Sequence, residues 1–148
     1  MTEATEGLTF RIATEADVPF LLELRRKTMS EHLRHSGVEP SEREHTDRVR
    51  ARFECAEIIM LSGRPVGLLK VARDGKKWSL IQIQLVAEQQ CKGLGSSILQ
   101  ELVEDAVHSG ASVKLSVLRA NPARRLYERL GFRVVNESAH AYEMQLGA

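Results

Sequence analysis

Gln90-Cys91-Lys92-Gly93-Leu94-Gly95-Ser96 stands between two segments of different period. Ahead of it, the apolar run Trp78–Val86 follows the turn Arg73-Asp74-Gly75-Lys76, and an Asp-Gly step between apolar runs predicts a hairpin. Behind it, Leu94, Ile98, Leu102 and Ala106 recur every four residues, with Leu99 and Val103 widening the face. Gln100, Glu101, Glu104 and Asp105 take the other side, which predicts a helix over Gly93–His108 that Ser109-Gly110 stops. The loop is therefore a strand-to-helix junction. Its glycines allow close backbone approach and positive φ. The first amides of the helix have no intrahelical acceptor and the helix dipole favours an anion there, so the loop suits a phosphate or pyrophosphate. Lys92 and Gln90 can add hydrogen bonds at its rim. Taken alone, the loop also reads as a plain tight turn. Two other phosphate motifs do not fit. A dinucleotide fingerprint needs a small residue where Ile98 stands, and a P-loop needs Gly-Lys-Ser/Thr.

Working outward toward the N-terminus, Ser62-Gly63-Arg64 joins two further apolar runs, Ala56–Leu61 and Pro65–Ala72, so three antiparallel strands are expected in a meander. Leu8, Phe10 and Ile12 alternate as a half-buried strand after a polar, frayed segment 1–7. Thr14 with Asp17 is a short relative of the capping box, and Val18, Leu21, Leu22 and Leu24 give the helix that follows an apolar stripe. Gly37 and Pro40 break the pattern, and a second helix starts from Ser41 with Glu42 and Glu44 near its positive end. Its sparse apolar positions, Val49, Ala51 and Phe53, suggest a surface or cleft-lining helix.

Toward the C-terminus, Val113, Leu115 and Val117 alternate as a strand. Asn121-Pro122 reads as an N-cap with proline at the first helical position, of a helix running to Leu130 and ending at Gly131. Phe132–Val135 and Tyr142–Leu146 are closing strands. The expected order is βααβββαβαββ, an α/β (α+β) fold with a largely antiparallel sheet.

Composition bounds the class. The chain has 148 residues, 43% apolar and 28% charged, with a formal net charge of +1. That is one domain's worth of ordinary globular sequence, read as residues 8–148. The near-zero charge argues against a nucleic-acid partner. No apolar run approaches the roughly 20 residues that cross a bilayer, and the N-terminus carries no secretory signal. Cys55 and Cys91 are expected as free thiols of a cytoplasmic protein.

Gln90-x-x-Gly93-x-Gly95 resembles the Gln/Arg-x-x-Gly-x-Gly/Ala signature of the GNAT N-acetyltransferase family, in the place that family requires. Asn121-Pro122-Ala123-x-x-Leu126-Tyr127-Glu128-x-Leu130-Gly131-Phe132 is similar to its Asn-x-x-Ala-x-x-Leu-Tyr-x-x-x-Gly-Phe segment. The resemblance runs from about Leu8 to Leu146. It implies about seven strands and four helices, with the fourth and fifth strands splayed, and acetyl-CoA as cofactor. It places the cofactor on Gln90, Cys91, Lys92, Gly93, Leu94, Gly95, Ser96 and Asn121. Backbone groups of Leu85 and Val86 would meet the pantetheine arm, an amide there polarising the thioester carbonyl. Tyr127 would be the general acid. A homodimer is a further, mild implication.

This chain departs from the family at two points. Where many members carry a carboxylate as base, it has Gln82, with Gln84 on the same strand face. Amides can orient an acceptor or a water but cannot take its proton. His32, His35 and His45 have a suitable ordinary pKa, yet surface positions are the simpler expectation for them. His32, Gln82 and Gln84 are the candidate acceptor residues. No metal site is expected, because His32-x-x-His35 lacks further ligands. Cys91, the other departure, stands where glycine is common. The expected activity is acetylation of a small-molecule amine, toward which Glu31, Glu39, Glu42, Glu44 and Asp47 offer a faint cation attraction. A protein lysine or N-terminal amine, or non-catalytic acyl-CoA binding, are the alternatives.

Overall fold

A computed structural model describes residues 7–35, 41–90 and 92–147, with 28–35 described by backbone alone. The elements are β1 (Leu8–Ile12), α1 (Val18–His35), α2 (Glu42–Arg50), β2 (Ala56–Leu61), β3 (Arg64–Asp74), β4 (Lys77–Leu85), α3 (Leu94–Ser109), β5 (Ser112–Leu118), α4 (Arg124–Arg129), β6 (Arg133–Glu137) and β7 (Ala141–Leu146). The strands form a seven-stranded sheet in the order β1-β2-β3-β4-β5-β7-β6. Neighbours β1–β2, β2–β3, β5–β7 and β6–β7 run antiparallel, and β4–β5 runs parallel. The mixed α/β fold expected from the sequence is the one observed. Among the described residues, no helix is long and apolar enough to cross a membrane.

Two compact units make up the chain: Met1–Lys70 with Gln82–Gly95, and Val71–Ile81 with Ser96–Ala148. In the first unit, α1 presents Leu21 and Leu24, three residues apart on one helical face. They are buried with Ala13, Val49, Ala56, Ile58 and Leu68, and Phe20, Leu22, Phe53, Met60 and Val86 pack around them. The turn between β2 and β3 holds Ser62 at φ 51° and Gly63 at φ 81°, the paired left-handed geometry whose twist suits a two-residue hairpin. Further along this pair the register shifts. Ile59 faces Gly67 while Met60 faces Pro65, so Val66 is an extra residue, a β-bulge.

Side chains satisfy the helix ends of this unit. Asp17 accepts from Arg11 Nη1 and Nη2 at 2.8 Å each and from the Thr14 amide at 2.8 Å. A short 3-10 turn, Glu15–Asp17, leads from there into α1. Ser41 Oγ accepts the Glu44 amide at the start of α2 at 3.2 Å. At the other end of α2, Lys70 Nζ donates to the carbonyls of Arg48, Val49 and Ala51 at 3.0, 2.9 and 2.7 Å. Lys70 is fully buried. A lysine placed on the last carbonyls complements the negative end of the helix.

In the second unit, β4 pairs with β5 from Lys77↔Ser112 to Leu80↔Leu115, although β4 continues to Leu85 and β5 to Leu118. Trp78 is anchored by its indole N–H donating to the Gly75 carbonyl at 3.0 Å, with Arg73 over its ring. The face of α3 carrying Ile98, Leu99, Leu102 and Ala106 is buried, as the four-residue spacing requires.

One expectation is corrected here. The helix read over Asn121–Leu130 is regular only over Arg124–Arg129, and Asn121 is not its N-cap. Asn121 Oδ1 accepts the amide of Ala123, two residues on, at 2.9 Å and makes an Asx turn ahead of the helix. The helix then closes on Gly131 at φ 106°.

Asp17→Ala is expected to cost about 1–2 kcal/mol at neutral pH, as loss of a helix-start acceptor does. The hydrogen bonds from Arg11 lead the causes that hold the Asp17 carboxyl below its ordinary value. Its contribution is therefore complete above the unfolded carboxylate pKa, near 3.9, and is lost as pH falls through the lower folded value. Urea melts over a pH series should show wild type and variant converging in acid. A gap that stays constant down to the acid limit would exclude this account.

Candidate active site

The expected site residues divide between the units. Gln82, Gln84, Leu85, Val86, Gln90, Lys92, Gly93, Leu94 and Gly95 belong to the first, and Ser96, Asn121 and Tyr127 to the second. Cys91 and the side chain of His32 lie outside the described residues.

In the first unit, β4 ends against β3. The Val86 amide donates to the Val66 carbonyl at 2.9 Å, and the Val86 carbonyl accepts the Gln89 amide at 3.0 Å. Backbone groups alternate sides along a strand, so those of Leu85 point away from β3. The Val86 N–H is thus engaged with Val66 of β3. Leu85 keeps an amide directed the other way. A 3-10 turn over Ala87–Gln89 follows, and Gln90 Nε2 donates back to the Leu85 carbonyl at 3.0 Å. Gln90 thus closes the loop onto the end of β4, a role the spacing alone did not reveal.

Gly67 explains how β3 and β4 come so close. A Cβ placed on it would lie 2.3 Å from the Gln84 carbonyl oxygen and 2.8 Å from Leu85 Cδ2. Any side chain there would push the end of β4 away. No sequence signal singled Gly67 out, because a glycine in an apolar run is read as weakening a strand.

Beyond Gln90, Gly93 sits at φ 82°, and a Cβ on it would meet nothing within 4 Å. Gly95 would meet only Leu85 Cδ1, at 3.5 Å. The loop is therefore open over both glycines where α3 begins. The first turn of α3 carries no acidic residue, leaving its positive end free of an internal counter-charge. These features fit a cradle for an anionic phosphate group, with Lys92 exposed at its edge.

Gln82 and Gln84 lie two residues apart on one face of β4. Gln82 Oε1 and Gln84 Nε2 are enclosed and, among the described residues, have no hydrogen-bond partner. Buried amide atoms are normally paired, which sets these two apart from the other polar groups of β4. His45, expected at the surface, is buried, and burial followed by the nearby Arg25 charge lowers its pKa. Among the described residues, no group of three or more His, Cys, Asp or Glu is gathered that could hold a metal ion.

In the second unit, the Tyr127 ring is buried and meets Phe132 edge-on, with centroids 5.8 Å apart. Burial pushes its pKa up to about 12, so the phenol keeps its proton at any working pH. Among the described residues its hydroxyl makes no hydrogen bond, unlike a core tyrosine tied to a backbone carbonyl.

The acetyltransferase (GNAT) family model matches residues 18–132. No curated protein sequence matches the chain. Among solved structures, it resembles a PaiA N-acetyltransferase from Thermoplasma acidophilum in complex with coenzyme A, at 18% identity and TM-score 0.72 over 95% of this chain and 99% of that one. A spermidine N-acetyltransferase from Vibrio cholerae, solved with CoA and spermine, aligns at 17% identity and TM-score 0.69 over 95% of each chain. The ribosomal-protein-S18-alanine N-acetyltransferase from Escherichia coli aligns at 19% identity and TM-score 0.69, covering 94% of this chain and 92% of that one.

The three glycines should separate in stability. Gly67→Ala should cost about 3 kcal/mol, the upper range for forced overpacking. Gly93→Ala should cost about 1–2 kcal/mol for its left-handed backbone. Gly95→Ala should be neutral or gain up to about 1 kcal/mol, because its space and backbone tolerate a methyl. Urea midpoints of the three variants check the ranking, and a Gly95→Ala loss equal to that of Gly93→Ala would contradict it.

Proposed function

We propose that this chain, which belongs to the acetyltransferase (GNAT) family, transfers the acetyl group of acetyl-CoA to the primary amine of a small molecule. The observation that carries the reading is the open, acid-free start of α3 behind Gly93 and Gly95. The CoA held by the solved PaiA and spermidine acetyltransferases supports it, as does the spermine held by the latter.

Backbone amides of Cys91 to Ser96 would hold the pyrophosphate, with the Lys92 ammonium at its edge. The outward-facing amide of Leu85 would bond the pantetheine arm or polarise the thioester oxygen. Asn121 would assist through its side-chain N–H groups, since its Oδ1 is engaged by Ala123. Acetyl-CoA supplies the activated acyl group. The chain's own residues then bind the amine, orient it and deliver a proton to the departing sulfur. Tyr127, which remains a phenol up to about pH 12, is the proton donor.

No carboxylate stands at Gln82 or Gln84, so the amine has to arrive already neutral. The enclosed Gln82 Oε1 would accept an amine N–H and aim the nitrogen lone pair, with Gln84 beside it. His32 remains a candidate on the acceptor side.

A thiol-release screen with polyamines, amino acids, aminoglycosides and peptides tests the reaction class, and protein substrates as the only acceptors would redirect it. In Tyr127→Phe, kcat should fall about 100-fold or more with CoA affinity unchanged. Unchanged turnover would remove Tyr127 from the acid role. The acid limb of the kcat/KM profile should move with the pKa of the acceptor across a series of amines. In Gln82→Glu, which places a carboxylate of ordinary pKa near 4.3, the limb should shift to lower pH and stop following the amine. A wild-type limb fixed at one pH for every amine would point instead to a base on the enzyme.

A further inference from the structure

Arg25 and Arg26 are consecutive on α1, yet their surroundings are opposite. Arg26 lies on the surface and forms a bidentate ion pair with Glu42 of α2, its Nε donating at 2.9 and 3.1 Å. Arg25 is only 6% exposed, its enclosed Nε has no hydrogen-bond partner, and among the described residues no side chain pairs with it. Its charged neighbour is another cation, Arg48 of α2, and burial with that repulsion lowers its pKa to about 10. Arg25 also bears on Lys70 and His45, and each is shifted toward its neutral form. Among the described residues, the acidic groups near this neighbourhood act on side chains other than Arg25. Glu42 serves Arg26 and Glu54 serves Arg52, and Glu44 acts on His45.

A guanidinium out of water without a carboxylate is an expensive arrangement. Here Arg48, Lys70 and His45 add like charge around it. Lys70 at least spends its three donors on carbonyls at the end of α2, and among the described residues Arg25 spends none. Arg25 shares a face of α1 with Leu21 and Leu24, the residues buried in the cluster against which Val86 packs. That places it in the same unit as the end of β4.

We propose that Arg25, with Arg48 beside it, is the binding site for an oxyanion group carried by the acceptor, so that the amine substrate bears a carboxylate or a phosphate ester. This rests on the acetyl-transfer reading and narrows its substrate class. Arginine matches such groups by paired N–H donation, and an anion there relieves the repulsion that Arg25 shares with Arg48 and Lys70. A polycationic acceptor has no favourable partner at this position. The acidic residues that the sequence offered as a cation attractor are in part engaged, Glu42 by Arg26.

The test uses CoA-saturated protein, which keeps the probe ion out of the cofactor cradle. Sodium succinate or phosphate should raise the Tm of wild type relative to sodium chloride at equal ionic strength. The rise should vanish in Arg25→Gln and shrink in Arg48→Gln, a surface variant that guards against a misfolded Arg25 mutant. Among acceptors, each amino acid or phosphorylated amine should show a KM at least about tenfold below that of the same amine without its anionic group. Arg25→Gln should erase that preference with kcat little changed, and Arg25→Lys should restore part of it. No anion-specific Tm shift, or one that survives in both variants, overturns the site. A Tm shift without any preference for anionic acceptors leaves a free-ion site and overturns the substrate assignment. If Glu31→Gln with Glu39→Gln first unmasks succinate binding, the counter-ion is the chain's own and the proposal fails. Should no amine be acetylated at all, the enzymatic reading falls while the Tm measurement still reports on the anion site.

Discussion

The end of β4 and the loop that follows it hang on the close approach of the β3 and β4 backbones at Gly67. With no Cβ there, the Gln84 carbonyl occupies the space a side chain would take, and the Val66 bulge turns its own carbonyl onto the Val86 amide. That bond fixes which of the last β4 residues face β3 and which face away. Val86 is committed, and Leu85 is directed outward. The 3-10 turn, the clasp of Gln90 on the Leu85 carbonyl and the left-handed Gly93 then follow in sequence, each depending on where β4 stopped. A loop with the same residues on a strand that ended elsewhere would aim its amides elsewhere.

The polar side chains of this region show a division of labour. Lys70 satisfies three carbonyls and holds the end of α2, a structural task that uses all its donors. Asp17 does the same for the start of α1. Gln82, Gln84 and Arg25 are enclosed without such an assignment. Folded proteins rarely leave buried donors, acceptors and charges unmatched, because each costs on the order of 1–3 kcal/mol or more. In the second unit Tyr127 retains its proton, and among the described residues its hydroxyl is uncommitted. These residues are the ones to which ligand contacts are ascribed here.

The absence of a carboxylate on β4 has a chemical consequence. An enzyme that abstracts a proton can accept an ammonium and deprotonate it in place. One that offers only amides selects the neutral fraction of its substrate, and its rate carries the substrate's own ionisation. An anionic subsite is compatible with this arrangement, because recognition then relies on a part of the acceptor other than a positive charge.

Much of the architecture was legible in the sequence because its signals are local. The alternation of Leu8, Phe10 and Ile12, the Asp74-Gly75 turn, the four-residue recurrence from Leu94 to Ala106 and the paired glycines each depend on residues close in the chain. Together they specified element order, the strand-to-helix junction and the family resemblance. The start of α4 lies two residues beyond the expected one, since Asn121 and its bond from the Ala123 amide form an Asx turn ahead of the regular helix. What only the tertiary structure decided involves partners far apart in sequence. Val66 takes the Val86 amide, Gly67 admits the Gln84 carbonyl, and Lys70 bonds the end of α2. Arg25 is left buried beside Arg48 although Arg26, its neighbour in the chain, is paired at the surface. No period or motif reports such facts, because burial and pairing are properties of the surrounding fold and not of the residue that experiences them.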